Sequence, residues 1–255
     1  MPDLSGKVAI VSGCASGIGA ATVRRLRADG AEVLGTDVNA KEGADLCEEA
    51  DARFSTHDVA DTATWSDVVA QAMDAWGRLD ILVNNAGVVS QASIEDVTDE
   101  LWDRTYDINI KGTMAGCRAA IAAMKLNPGG ASGSLINVAS TSAMAALPGD
   151  VAYCSSKGAV RVLTQSIAAH CAKAGYAIRC NTVVPGATET GILNKAEDAM
   201  PGLKAAVAAT SPMNRLADPA ETAAAIAFLA SDECPYMTGA EMLVDGAMMA
   251  VHPGF

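Results

Sequence analysis

Short apolar runs alternate along the chain with stretches in which apolar residues recur every three or four positions. The apolar runs are rich in β-branched residues and predict strands, whereas the helical recurrence predicts amphipathic helices. The predicted strands are 7–12, 31–36, 53–57, 79–83, 134–138, 177–184 and 241–244. The predicted helices are 17–29, 41–50, 62–75, 99–124, 152–174 and 219–230. Every predicted strand but the last is thus followed by a predicted helix.

This alternation decides the fold class. Strands separated by helices are typical of βαβ units with parallel strands, and strands buried on both faces are almost wholly apolar, as these runs are. We therefore predict an α/β fold, a single doubly wound Rossmann-type domain over 1–255, with a central parallel sheet of about seven strands and helices on both faces. The alternation is interrupted over 188–211, where we expect a substrate lid, because ligands bind beyond the carboxyl ends of such strands.

The composition restricts the classes of partner. The 255 residues include 18 Lys and Arg but 30 Asp and Glu, which gives a formal net charge of −12. Such a chain lacks the basic surface by which proteins bind nucleic acids or anionic membranes. The longest apolar stretches, such as 223–230, are far shorter than the roughly 20 residues of a membrane-spanning helix. We expect neither nucleic acid nor membrane as a partner.

The seven cysteines are scattered, odd in number and without a Cys-x-x-Cys pair. This pattern predicts neither a disulfide framework nor a metal site, and His57, His170 and His252 share no metal-binding spacing. The residues before the first strand do not form a secretory signal. Reduced thiols in a cytoplasmic protein are the expectation.

A glycine-rich turn, G-x-x-x-G-x-G, joins the first strand to the first helix at Gly13, Gly17 and Gly19. Glycine allows a close backbone approach to a diphosphate, and the helix start offers it N–H groups and the positive end of a dipole. The alternative is an ordinary turn between strand and helix. Asp37 follows the second predicted strand, 20 positions after Gly17, where a carboxylate accepts ribose hydroxyls and repels the phosphate of NADP. We therefore predict NAD as the cofactor.

Tyr153 and Lys157 are four positions apart on a predicted helix and share one face. A nearby ammonium lowers the pKa of a phenol, so the pair is a candidate general acid and base. Tyr-x-x-x-Lys also occurs by chance in helices. Ser140 supplies a hydroxyl just beyond a predicted strand, although Thr141 and Ser142 are competitors for that role.

With these elements in this order, the sequence resembles the short-chain dehydrogenase/reductase family over nearly its whole length. Ser12 stands where Thr is usual in that family, and Ala247 where a second Gly is usual. The motifs that carry the resemblance are Gly13–Gly19, Asn84–Gly87, Asn109–Gly112, Ser140 with Tyr153 and Lys157, Pro185–Gly186 with Thr188 and Thr190, and Asp245–Gly246.

The resemblance implies a catalytic role for four residues. Tyr153 exchanges a proton with the substrate oxygen, and Lys157 lowers the pKa of Tyr153 and binds the nicotinamide ribose. Ser140 polarises the substrate oxygen, and Asn109 holds a water that links Lys157 to solvent. The implied cofactor contacts are Gly13, Ser16, Gly17, Ile18 and Gly19 in the turn, Asp37 and Val38, Asp58 and Val59 beside the adenine, Asn85, Ala86 and Gly87 on the adenosine side, Tyr153 and Lys157, and Pro185, Gly186, Thr188 and Thr190 at the nicotinamide.

Within the family, 116–125 and 175–179 are similar to bacterial 3β/17β-hydroxysteroid dehydrogenases and cyclic alcohol dehydrogenases. This implies a small-molecule secondary alcohol or ketone as substrate and a homotetramer as the assembly. Pocket walls are expected at 88–92, 141–147 and 188–203, whose composition suits an apolar, cyclic, steroid-like or aryl ligand. Two alternatives are a β-ketoacyl-carrier reductase, against which the acidity of the chain argues, and a catalytically silent NAD(H)-binding scaffold or sensor.

Overall fold

The computed structural model describes residues 2–251, so His252 lies outside the described residues. Seven strands form one sheet in the order β3-β2-β1-β4-β5-β6-β7, and every neighbouring pair is parallel. The prediction of a parallel seven-stranded sheet is therefore confirmed. The strands are β1 Val8–Ser12, β2 Glu32–Asp37, β3 Arg53–Thr56, β4 Ile81–Asn84, β5 Ser132–Val138, β6 Ala177–Pro185 and β7 Glu241–Val244.

Helices cover both faces of this sheet. Alternate residues of β1 point to opposite sides, so that Ala9 and Val11 join one buried core and Val8 and Ile10 join the other. Burial on both faces explains why the strand sequences are almost wholly apolar. The helices are α1 Gly17–Ala28, α2 Ala40–Glu49, α3 Trp65–Trp76, α4 Asp99–Tyr106, α5 Thr113–Met124, α6 Val151–Lys173, α7 Gly191–Ala199, α8 Leu203–Ala208 and α9 Pro219–Ala230.

The direction of the strand order reverses between β1 and β4. The chain runs outward from β1 to β2 and β3, then crosses back to place β4 on the other side of β1. The loops that follow β1 and β4 therefore diverge and leave a crevice at the carboxyl edge, which is where ligands bind in open parallel sheets. The glycine-rich turn and the loop after Asn84 both lie at this crevice.

The predicted helix over 99–124 is not a uniform α-helix. A π-helical segment, Asp107–Gly112, separates α4 from α5. The hydroxyl of Thr113 donates a hydrogen bond to the carbonyl of Asn109 at 2.9 Å. A π-helical turn takes up one extra residue and is frequent at functional sites. The apolar recurrence continues on both sides of the segment, which is why the sequence predicts one helix.

The stretch expected as a lid contains two helices, α7 and α8, that the sequence did not predict. It begins where Thr188 pairs with Ala217 in an isolated parallel bridge.

All seven cysteines are buried with free thiols. Over residues 2–251, no helix combines the length and the apolar character that crossing a membrane demands. Within the same range, no group of three or more His, Cys, Asp or Glu side chains could hold a metal ion.

Candidate active site

The glycine-rich turn is packed so closely that a side chain does not fit at Gly13 or Gly19. Gly13 and Gly17 have φ angles of +70° and +54°, which favour glycine. A Cβ on Gly19 would lie 2.0 Å from the carbonyl oxygen of Gly13. Ser16, at the N-cap of α1, makes no side-chain hydrogen bond to the helix. The first turn of α1 thus presents N–H groups and a positive dipole end, as the diphosphate of a dinucleotide requires.

The turn is fixed to the end of β4 by short polar contacts. The amide of Asn85 donates hydrogen bonds to the carbonyls of Ser12 and Gly13, both at 3.0 Å. The Ser12 hydroxyl accepts from the backbone N–H groups of Asn85 and Ala86 at 3.1 and 3.2 Å. Ser12, which stands where the family usually has Thr, therefore supplies the hydroxyl that accepts these two hydrogen bonds. The side chain of Asn85 holds the turn itself in place.

Asp37 lies at the carboxyl end of β2, beside the glycine-rich turn. Its Oδ2 accepts a hydrogen bond from the N–H of Ala15 at 3.0 Å, and its Oδ1 accepts from the N–H of Asn39 at 2.9 Å. Each carboxylate oxygen can accept more than one hydrogen bond, so both retain capacity for ribose hydroxyls. Val38 is 60% exposed next to it, open to the crevice or to solvent.

The residues expected beside the adenine follow β3, the neighbouring strand. Residue His57 donates its backbone N–H to the carbonyl of Asp37 at 3.0 Å, which places Asp58 next to the end of β2. Asp58 is exposed and accepts from the N–H of Ala60 at 3.0 Å. Val59 is buried, and its carbonyl accepts from the indole N–H of Trp65 at 3.3 Å. The two predicted positions therefore lie at the same edge as Asp37.

The segment after β6 passes over the start of α1. A Cβ on Gly17 would lie 3.2 Å from the Cγ2 atom of Thr190. The hydroxyl of Thr188 donates to the carbonyl of Gly186 at 3.1 Å. A Cβ on Gly186 would lie 2.8 Å from the Cα of Asp245, so this turn too needs glycine. The structure thus brings the predicted nicotinamide segment, 185–190, against the glycine-rich turn.

Lys157 is buried, with 5% of its surface exposed. Its Nζ donates a hydrogen bond to the carbonyl of Val138 at 2.7 Å and lies 5.9 Å from the ring centroid of Tyr153. Burial lowers the pKa of Lys157 to about 8. A Cβ on Gly87 would lie 3.2 Å from this Nζ and 3.2 Å from Oδ1 of Asn109, so the chain after β4 approaches both groups closely.

Tyr153 and Ser140 form the other part of this cluster. Burial raises the pKa of the Tyr153 phenol, a hydrogen bond from the Ser140 hydroxyl lowers it, and the charged forms of Asp150 and Cys154 raise it further. Ser140 thus favours the phenolate form of Tyr153, and the lowering of its pKa by Lys157 stays a prediction. Of its two competitors, Thr141 is buried in a short 3₁₀ turn, and Ser142 donates its backbone N–H to the Ser140 hydroxyl at 3.1 Å.

Asn109 lies in the π-helical segment and binds the loop after β4. Its Oδ1 accepts from the N–H of Val88, and its Nδ2 donates to the carbonyl of Val88, both at 2.9 Å. The same Nδ2 donates to the hydroxyl of Ser156 on α6 at 3.0 Å. The side chain is therefore occupied by protein contacts, and the water relay through Asn109 stays a prediction.

Two side chains of the site were missed by the sequence analysis, namely Ser156 and Asp150. Both lie within three positions of Tyr153 on the chain, but their partners are 47 and 60 positions away. Asp150 directly precedes a helix and therefore resembles an ordinary N-cap residue in the sequence. A signal for either residue would have required knowledge of the long-range packing of the loop after β4.

Comparison with known proteins agrees with this geometry. A family model described as enoyl-(acyl carrier protein) reductase matches residues 13–248. A solved structure, "Crystal structure of gox2181", is similar with a TM-score of 0.90 and 32% identity, and 98% of each chain is covered.

Three curated relatives are similar over nearly their whole length. The 3-alpha-(or 20-beta)-hydroxysteroid dehydrogenase of Mycobacterium tuberculosis is 38% identical, over 97% of this chain and 91% of the relative. The trans-4-hydroxycyclohexanecarboxylate dehydrogenase of Sinomonas cyclohexanicum is 36% identical, over 96% and 93%. The NADP-dependent (R)-specific alcohol dehydrogenase of Lentilactobacillus kefiri is 37% identical, over 97% and 98%. The chain belongs to the short-chain dehydrogenase/reductase family and is an oxidoreductase that uses a nicotinamide cofactor.

Proposed function

We propose that the protein is an NAD-dependent oxidoreductase that interconverts a secondary alcohol and a ketone. The observation that carries this proposal is the cluster beyond β5, in which Ser140 lies near enough to Tyr153 to lower the pKa of the phenol and the buried Lys157 holds its Nζ 5.9 Å from the Tyr153 ring. Two hydroxyl groups that converge on one point can hold the oxygen of a carbonyl or carbinol. The bound nicotinamide supplies the hydride acceptor or donor for the carbinol carbon.

Tyr153 is the proton carrier of this proposal. In ketone reduction the neutral phenol donates its proton to the substrate oxygen. In alcohol oxidation the phenolate takes the hydroxyl proton while the C–H bond breaks with its electron pair. Ser140 stabilises the phenolate by a hydrogen bond, and the ammonium of Lys157 adds a positive charge nearby.

The choice of NAD rests on Asp37. A carboxylate beside the adenosine ribose binds its two hydroxyls and repels the additional phosphate of NADP. Both oxygens of Asp37 keep hydrogen-bonding capacity after their contacts with the turn. One relative is NADP-dependent, so the family alone does not decide the cofactor.

The proposed substrate is an apolar cyclic, steroid-like or aryl secondary alcohol. The expected pocket walls at 141–147 and 188–203 carry exposed apolar side chains, with Leu147 at 52% and Met200 at 62%. Two relatives are named for a hydroxysteroid and for trans-4-hydroxycyclohexanecarboxylate, both of which carry a hydroxyl group in their names. The family model is described as an enoyl reductase, but the Ser140–Tyr153 pair suits an oxygen at the reacting carbon better than a carbon–carbon double bond.

A matched pair of tyrosine variants tests the reaction. Tyr153→Phe removes the proton carrier, and we expect kcat/KM with NAD and a panel of secondary alcohols to fall by about 10²–10⁴-fold. Tyr236→Phe changes a fully exposed tyrosine and is expected to leave the rate unchanged. The absorbance of NADH measures both. Cofactor binding without turnover in the wild type, unaltered by Tyr153→Phe, would instead identify a silent NAD(H)-binding scaffold.

The same panel includes acyl thioesters, because a carrier-linked β-ketoacyl reductase is the rival enzyme. Higher kcat/KM for a β-ketoacyl thioester with NADPH than for any cyclic ketone with NADH would contradict the substrate proposal.

We further propose that the chain forms a single domain in which 188–211 acts as the lid, and that it assembles as a homotetramer. We also propose a cytoplasmic location, because all seven thiols are free. Sedimentation velocity measures the assembly directly.

A further inference from the structure

A buried carboxylate lies at the start of α6, the helix that carries Tyr153, but it makes no capping hydrogen bond. Asp150 is at the N-cap of α6, yet its side chain makes no hydrogen bond to that helix. It is only 6% exposed. An ordinary N-cap aspartate accepts a hydrogen bond from the second or third N–H of its own helix. The usual explanation for an aspartate at this position therefore does not apply.

The Asp150 carboxylate instead binds the loop that follows β4. Its Oδ1 accepts from the N–H of Ser90 at 2.9 Å and from the N–H of Gln91 at 3.0 Å. The hydroxyl of Ser90 donates to the same oxygen. Three donors on one buried, charged acceptor form a strong, directional contact. The N–H of Val151 donates in turn to the carbonyl of Ala92 at 3.1 Å.

The backbone of the loop is shaped around this carboxylate. Gln91 has a φ angle of +52°, in the left-handed region that a non-glycine residue adopts only with compensating contacts. That conformation turns two successive N–H groups, of Ser90 and Gln91, toward one oxygen, as in backbone anion sites. The carboxylate thus compensates for a conformation that the loop would otherwise avoid.

The other end of the loop is bound to the same helix. Asn109 holds both backbone groups of Val88 and donates to the hydroxyl of Ser156 on α6. Residues 88–92, which we call the wall loop, are therefore tied to α6 at both ends. Tyr153 lies between the two attachment points, Asp150 and Ser156, on the first two turns of that helix.

We propose that Asp150 is a positioning residue for the alcohol substrate, because it fixes the wall loop to the first turn of the helix that carries Tyr153. This inference rests on the proposed function, in which 88–92 is a pocket wall and Tyr153 exchanges the proton. The wall loop continues from Gly87, whose backbone lies against Lys157 and Asn109, so a shift of the loop moves one side of the pocket relative to the phenol. A small displacement of a bound substrate from its reactive position lowers the reaction rate strongly.

The test varies the alcohol and NAD separately in steady-state kinetics. Asp150→Ala is expected to raise KM for the alcohol at least tenfold, with KM for NAD within twofold of the wild type. Hydrogen exchange of the Ser90 and Gln91 amides is expected to accelerate at least tenfold, and that of the glycine-rich turn to stay unchanged. Asp96→Ala, in an exposed carboxylate a few positions beyond the wall loop, is the matched control and is expected to change neither.

The conservative variant separates positioning from general support of the fold. Asp150→Asn keeps an acceptor for the two N–H groups, so we expect KM for the alcohol to rise only two- to threefold. Ser90→Ala removes one donor and is expected to have a similar effect. Combined, the two substitutions are expected to raise KM by less than the product of their separate effects, since both act on one contact. These variants also carry the test if Asp150→Ala does not fold.

Two results would overturn the inference while leaving the proposed function intact. One is an unchanged KM for the alcohol in Asp150→Ala. The other is a rise of KM for the alcohol and KM for NAD by the same factor, seen in Asp150→Ala and again in Asp150→Asn. A wild type without turnover on any alcohol would overturn the proposed function, and the positioning of an alcohol with it.

Discussion

The two sides of the crevice are constructed in different ways. On the cofactor side, the glycine-rich turn is packed through backbone contacts within a few residues, such as Gly19 against Gly13, and Asn85 fixes it to the end of β4. On the substrate side, the wall loop is held by side chains from distant parts of the chain, such as Asp150. The glycine spacing of the turn is recognisable in the sequence, whereas the contact of Asp150 with the wall loop leaves no local pattern. The cofactor side should therefore be rigid and intolerant of change, and the substrate side adjustable.

The largest expected effect is on the cofactor side, from Gly19→Ala. The added Cβ would lie 2.0 Å from the carbonyl of Gly13 and 2.6 Å from the Asn85 amide nitrogen, so the turn must move. Overpacking of this kind costs about 3 kcal/mol, and we expect NAD to bind about 100-fold more weakly in calorimetry. Gly158→Ala, whose Cβ would meet only the carbonyl of Ala143 at 4.0 Å, is the control. NAD affinity within threefold of the wild type in Gly19→Ala would remove the contrast between the two sides.

An intermediate effect is expected from Asp37→Asn. The substitution removes a charge-assisted contact to the ribose, worth about 1.5–3 kcal/mol, and the repulsion of the NADP phosphate. The ratio of kcat/KM with NAD to kcat/KM with NADP is expected to fall at least tenfold. Asp45→Asn, on the exposed face of α2, is the control and should leave the ratio unchanged. A wild type that prefers NADP would show that the assignment of Asp37 is wrong.

The smallest expected effect concerns His57, beside the adenine positions. The ring is 5% exposed, packs edge-on against Trp65 and has no hydrogen-bond partner at either nitrogen among the described residues. Burial lowers the pKa of His57, an effect that the charges of Asp58 and Asp61 only partly oppose. The unfolded chain therefore binds a proton more readily, so this group contributes stability above about pH 6.5 that is lost as the pH falls below it.

Urea unfolding at pH 7 and pH 5 measures this contribution. The wild type is expected to lose up to about 1.4 kcal/mol per pH unit through His57, a loss that His57→Phe removes because the ring no longer titrates. An exposed histidine, His170 on α6, provides the control as His170→Phe. The same pH dependence in His57→Phe and the wild type would assign the acid sensitivity to other groups.

Much of the scaffold follows from the sequence, and the reason is physical. The parallel strands are buried on both faces, so β1 and β4 are recognisable as apolar runs, and the glycine-rich turn is recognisable because no other residue fits Gly19. The π-helical segment was not predicted, since one inserted residue barely disturbs the apolar recurrence on either side. Helices α7 and α8 are short and follow a loop, where local propensity is a weak guide. The contact of Asp150 with Ser90 joins positions 60 apart, and no local pattern records it.

The reversal of strand order between β1 and β4 has a practical consequence for protein engineering. At this junction, which we call the seam, the Ser12 hydroxyl at the end of β1 accepts hydrogen bonds from the backbone after β4 and so joins the two halves of the sheet. A chimera that takes its first 87 residues from this chain would keep the glycine-rich turn, Asp37 and the seam together. The wall loop, both of its attachment points and the segment over the nicotinamide would then come from the second parent as one set. A crossover at Gly87 would therefore exchange the substrate side while keeping the adenosine side of the cofactor site.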